Sequence, residues 1–238
     1  MRVCLFVCKA TIKQQGELAE INDLRVSLDE SMLSGWLHVT NISKQRLRYD
    51  LAFDQLNINH YLPAVVEPIV AESEVAAGSG GAAEGVAATT GDEKIELPIA
   101  MLRQLDVKGD FRIAELKAEE YDIKQFLMTM NAAKGMINIK PLSMQVLQGN
   151  LAAALGMNVT KEMPAYTINF DASQLQVGPV ANPFLKGVMG DKPLTMEGAA
   201  DFTMAIKTSG DSVNQLKKSS LGNIVLDMKQ TEVNGFDP

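Results

Sequence analysis

The sequence predicts a mainly β (α+β) fold, a twisted, curved antiparallel sheet with a few short helices. Three observations predict it. Apolar and polar residues alternate with a period of two in run after run, the pattern of strands buried on one face only. Gly or Pro falls between most of these runs. The stretches with helical spacing are few and short. With 238 residues, 46% of them apolar, the chain is long enough for one large domain or two small ones.

The strand runs follow in order. In residues 47–54 the apolar positions are Leu47, Tyr49, Leu51 and Phe53. Further rows are Phe126, Met128, Met130; Ile137, Ile139; Leu155, Met157, Val159; and Tyr166, Ile168, Phe170. Phe202, Met204, Ile206 and Ile224, Leu226, Met228 close the series. Gly135, Pro141, Gly149, Pro164, Gly198, Gly210 and Gly222 separate them. Such an antiparallel meander has one apolar and one polar face. A first helix is expected over 97–105, with Pro98 in its first turn. A second opens at Asn182-Pro183 and ends at Gly190, and a third starts at Asp211 or Ser212 and stops by Gly222. Helices this short are marginal alone and should close the end of the sheet or cover part of it.

The run Tyr49-Asp50-Leu51-Ala52-Phe53-Asp54 is echoed at Tyr166-Thr167-Ile168-Asn169-Phe170-Asp171, each followed by Gln-Leu. In both copies the apolar frame slips after Phe-Asp, as a bulge would make it. The two flanks of the chain therefore read as repeated strand units. Between them residues 64–96 collapse to Ala, Gly, Val, Glu, Ser and Thr, a low-complexity linker or insertion. The domains expected are an unassigned segment 1–20, a β unit 21–63, this linker, and a β-rich C-terminal domain 97–238.

The N-terminal run Val3–Cys8 is short for a signal peptide, and the expectation is an interior strand or a misplaced start. No segment reaches the length of a membrane-spanning helix. Cys4 and Cys8 make a poor zinc signal, and a disulfide between them would stabilise little. Net charge is -7 with no basic footprint, so duplex nucleic acid is an unfavoured partner. The one tight basic cluster, Lys217-Lys218, reads as a solvated helix face. His38 and His60 have no second ligand at metal spacing, and no nucleophile, phosphate-loop or dinucleotide motif occurs. No catalytic residue, metal or cofactor is assigned, and the chain is expected not to be an enzyme.

Thirteen methionines are conspicuous, most of those in the strand runs lying in the apolar frame. Met adapts to irregular apolar partners. Two readings follow: a soft β core packed against the short helices, which strand spacing alone favours, or an apolar groove that holds acyl chains. The candidate groove residues are Phe126, Met128, Met130, Met157, Phe170, Phe202, Met204 and Ile206.

From about Ile21 onward the order of elements resembles the C-terminal region of the AsmA family. The stretch Leu97-Pro98-Ile99-Ala100-Met101-Leu102-Arg103-Gln104-Leu105-Asp106-Val107-Lys108-Gly109 is similar to its Leu-Pro helix and Leu-Asp-x-x-Gly turn. Leu175-Gln176-Val177-Gly178-Pro179-Val180 resembles its Val-Gly-Pro element, and Val233-Asn234-Gly235-Phe236-Asp237 its closing turn. Leu28–Gly35 and Leu56–Pro63 also match. The resemblance implies a Gram-negative envelope protein, held in the inner membrane by one N-terminal helix and projecting into the periplasm. It implies a role in outer-membrane biogenesis, through outer-membrane protein assembly and lipopolysaccharide or phospholipid homeostasis. It also implies kinship with bridge-like lipid transfer proteins such as TamB. Such an anchor is not visible here, so a fragment or misplaced start is the expectation. The function expected is passive: phospholipid or lipopolysaccharide tails lie on a concave apolar face. The alternative is an interaction module that binds envelope proteins through a sheet edge or helix face.

Overall fold

The computed structural model describes residues 6–41, 46–61, 94–182 and 195–235. These form one open sheet of eleven strands whose spatial order is the sequence order. The strands are β1 (Phe6–Gln15), β2 (Leu18–Leu28), β3 (Ser31–Asn41), β4 (Arg46–Asn57), β5 (Asp106–Ala118) and β6 (Tyr121–Ala133). They continue as β7 (Met136–Val146), β8 (Gly149–Asn158), β9 (Ala165–Gln176), β10 (Thr195–Ser209) and β11 (Leu221–Asn234). Each alternating run of the sequence from 47 onward lies in one of them, except that Val159 falls just past β8.

The meander is antiparallel at every step but one. β4 and β5 pair in parallel, from Arg46↔Asp106 to Asn57↔Lys117. A hairpin turn cannot join parallel neighbours, so the chain must cross back to the same end of the sheet between them. That crossing contains the predicted linker 64–96, of which residues 64–93 lie outside the described residues. Strands on both sides of the linker thus share one sheet. Of the N-terminal run, residues 3–5 lie outside the described residues, and from Phe6 on it is an edge rather than an interior strand: among the described residues β1 pairs with β2 alone, and Cys8 is exposed. Its alternation with polar residues from Lys9 onward suits an edge.

Two-residue turns join five of the ten neighbouring pairs. The β6–β7 connection is Lys134-Gly135 (φ 51° and 75°) and the β7–β8 connection is Leu147-Gln148 (φ 51° and 59°). Both central residues have positive φ, the geometry that matches strand twist in two-residue hairpins. Gly149 is therefore not the turn glycine. It opens β8 where a Cβ would come within 2.7 Å of the Gln174 backbone, so close approach demands it. The bulge expected after Phe170-Asp171 is present: Ser173 and Gln174 face the single residue Asp201, and Gln174 has φ 57°. In the echo on β4 the register to β5 runs on unshifted, Phe53↔Ile113 and Gln55↔Glu115.

Helix α1 (Ile99–Gln104) and helix α2 (Val213–Ser219) border the same end of the sheet. Ser212 caps α2, its hydroxyl accepting from Gln215 N at 3.3 Å. The segment leading to α1 starts beside that cap, with Ile95 N donating to Asp211 O at 2.6 Å. Arg103 of α1 then donates to Val159 O at 2.6 Å and Lys161 O at 2.9 Å, past the ends of β8 and β9. The middle helix starts earlier than Asn182. Residues 178–182 are already helical, with Pro179 in the first turn. Residues 183–190 of the expected helix lie outside the described residues.

Candidate functional site

Directly paired residues of adjacent strands point to the same side of a sheet. Tracing the registers therefore assigns the faces. One row runs Leu33–Phe53–Ile113–Phe126, passes the β6–β7 bulge to Met144, and continues Leu151–Ala172–Phe202–Leu226. The next row contains Leu51, Phe111, Met128, Leu142, Ala153, Phe170, Met204 and Ile224. Met130, Ile139, Leu155, Ile168 and Ile206 form a third, and Ala132, Ile137, Met157 and Tyr166 a fourth. All eight candidate residues, Phe126, Met128, Met130, Met157, Phe170, Phe202, Met204 and Ile206, thus lie on one face. So do Leu33, Leu51, Phe53, Phe111 and Ile113, which were not among the candidates. The alternation of Leu51 and Phe53 is visible in the sequence, but only the parallel β4–β5 pairing aligns them with the later strands.

Ring contacts tie neighbouring strands along this face. Phe53 and Phe111 meet edge to face at 6.0 Å, Phe111 and Phe126 at 6.3 Å, and Phe170 and Phe202 at 5.5 Å. Large side chains alternate with small ones. The Tyr49 ring lies against Gly109, where a Cβ would sit 2.6 Å from it.

No second layer covers the apolar face among the described residues. Substantial contacts between elements join only neighbouring strands, α2 with β10, and the 3-10 turn Ile58–His60 with β5. Consequently few hydrophobic side chains are buried: Val107, Ile113, Ala132, Val159, Ala172 and Ala200 among the described residues. Most of the row residues are half-buried, sheltered by one another rather than by a lid. Among the described residues the rows thus form an open apolar face rather than a packed core. At β11 the shelter ends, and Ile224 and Leu226 are each 59% exposed.

The opposite face is polar and cross-linked. Asp106 accepts from Arg48 at 2.6 Å and Arg46 at 2.8 Å, Arg112 pairs with Asp50, and Thr129 donates to Asp110 at 2.7 Å. The Arg48 hydrogen bond, with help from Arg46, holds the Asp106 carboxyl below the usual carboxylate value. On the apolar side, burial first and the Asp110 charge second push the Tyr49 phenol up. Burial and then Asp211 do the same to Tyr166. Both phenols therefore stay neutral at ordinary pH.

Chemistry-bearing groups do not converge. Among the described residues no group of three or more His, Cys, Asp or Glu could hold a metal ion. His38 lies 2.8 Å from Asn22 Oδ1 and packs on Trp36, while His60 sits in the 3-10 turn at the other end of the strands. No helix among the described residues is long and apolar enough to cross a membrane. Against known proteins, the family model described as the AsmA family matches residues 8–237, nearly the whole chain. No curated protein and no solved structure matches the chain.

Proposed function

The chain belongs to the AsmA family, which is linked to envelope and outer-membrane biogenesis, and from that footing we propose that it serves this process by holding lipid acyl chains on its apolar face. The observation that carries the reading is the unbroken run of apolar rows, from β3 to β11, with no second layer over it among the described residues. At about 4.8 Å per strand, the nine strands from β3 to β11 give a face about 38 Å long. An acyl chain laid on an open face loses roughly half its water contact, about 0.4 kcal/mol per methylene. A chain of about 16 carbons would gain roughly 6 kcal/mol before its ordering cost, enough for reversible retention. Met128, Met130, Met157 and Met204 suit such a ligand because thioether chains adapt to a surface without fixed shape. The action is passive, without a catalytic step, and the ligand is a phospholipid or a lipopolysaccharide. The site of action is the periplasm, with the full-length protein anchored in the inner membrane.

The test is native mass spectrometry of the chain purified from a Gram-negative host, with lipid extraction of the same sample. Bound lipid at a defined ratio is expected, and Met128→Asp with Met204→Asp should strip it while the circular dichroism spectrum stays β. Retention of the same lipid by a folded double variant would sink the reading. A second reading, an envelope interaction module, draws on the free ladder edges of β1 and β11. It expects edge substitutions to release a protein and leave lipid in place.

A further inference from the structure

We propose that the corner formed by α2 and the start of β11 docks onto an anionic lipid bilayer, with Leu221 entering the interface and Lys207, Lys217 and Lys218 binding headgroups. Three observations meet there. Leu221 is 77% exposed, and Val213 on α2 is 44% exposed. Scattered surface aliphatics need no explanation, but these two lie at the ends of one short tied-down segment. Lys217 and Lys218 stand exposed in the last turn of α2, and exposed Lys207 pairs directly with Leu221 across the β10–β11 ladder. The cluster is positive on a chain of net charge -7. Of the carboxylates beside it, Asp211 is engaged by Lys94 at 3.1 Å, and Glu96 follows Ile95 on the segment tied to Asp211 O. Asp227, the next acid along β11, is about 20 Å away at strand rise.

The corner is rigid enough to present this pattern. Thr208 Oγ1 donates to Leu216 O at 2.7 Å, Ser220 Oγ donates to the same carbonyl at 2.7 Å, and the Ser219 hydroxyl accepts from Ser209 N at 2.9 Å. Aliphatic tips rimmed by lysines are complementary to an anionic interface, which takes apolar groups at acyl depth and cations at headgroup depth. Leu221 and Lys207 lie on the face opposite Ile224 and Leu226, so the corner meets the apolar face across the β11 edge. A lipid leaving the bilayer there would meet β11 first. Docking stands independently of whether the face retains lipid.

The test uses the full chain in flotation with vesicles of phosphatidylcholine alone or mixed with phosphatidylglycerol. Flotation is expected with the mixed vesicles only, and should weaken as salt screens the lysines. Lys217→Gln with Lys218→Gln should weaken it about thirtyfold, at about fivefold per lysine. In a Trp36→Phe background, Leu221→Trp should shift its emission to the blue on mixed vesicles. Failure to float, flotation unchanged in the double Gln variant, or an unshifted Trp emission would each overturn the proposal. Lipid co-purification is read separately, so its loss with flotation intact would fault the acyl-chain face and leave the docking corner standing.

Discussion

Gly109 shows at the residue scale how the apolar face is fitted together. Its φ is unremarkable, and what requires glycine is the close approach of Tyr49, whose carbonyl oxygen and ring would both lie within 2.6 Å of a Cβ. Gly109→Val should cost about 1–3 kcal/mol, by pushing both the Tyr49 ring and the β4 backbone away, and urea unfolding measures it. On the polar face Asp106 carries a pH dependence. Its pKa is lower in the fold than in the unfolded chain, where 3.8 is the ordinary value. The folded state thus holds its proton less tightly, and the stability from the Arg48 and Arg46 contacts is fully present above that ordinary value. It is lost as pH falls through the lower folded value. Asp106→Asn should lower stability at neutral pH and flatten that acid limb, as melts across the acid range would read. The sequence marked both as the Asp and Gly of the Leu-Asp-x-x-Gly stretch, but not what either of them does. A glycine beneath a ring and a carboxylate between two arginines require neighbours that are 60 and 58 positions apart, Tyr49 to Gly109 and Arg48 to Asp106.

At the scale of elements, alternation was the legible signal, because each strand has one half-buried face and period two survives in the sequence. Turns were partly legible. The β7–β8 turn places Leu147 and Gln148 in the left-handed region, where L side chains are strained. Gln148→Gly should therefore stabilise by about 0.5–1 kcal/mol, seen as a higher denaturation midpoint. Helix α1 is the opposite case. It is six residues long, has no side-chain cap, and is tied down through Arg103 to Val159 O and Lys161 O. Arg103→Ala should leave the buried Val159 carbonyl without this donor and cost about 1–3 kcal/mol. Amide exchange in α1 should quicken before exchange in β8 does. The sequence marks the helix by its Pro and spacing, but not its anchor, which sits on a strand end far along the chain.

For the whole molecule, the consequence is a sheet that is amphipathic across its full width, carrying its apolar side open. A ligand that binds the folded face and not the unfolded chain must raise stability by mass action. Added phospholipid should therefore raise the melting temperature of the wild-type chain and leave that of Met128→Asp with Met204→Asp unmoved. By itself the sequence determined the β class, the strands from residue 47 onward other than β5, the capped last helix and the family. These rest on local periodicity, turn and cap chemistry, and an ordered set of short motifs. It also picked out residues that share one face, since alternation fixes which side of each strand is apolar. Tertiary structure alone decided the parallel β4–β5 junction, the edge position of β1, and, among the described residues, that no second layer lies over the face. Strand pairing joins residues distant in the chain, and apolar alternation reads the same whether a row is covered by protein or left open to a ligand.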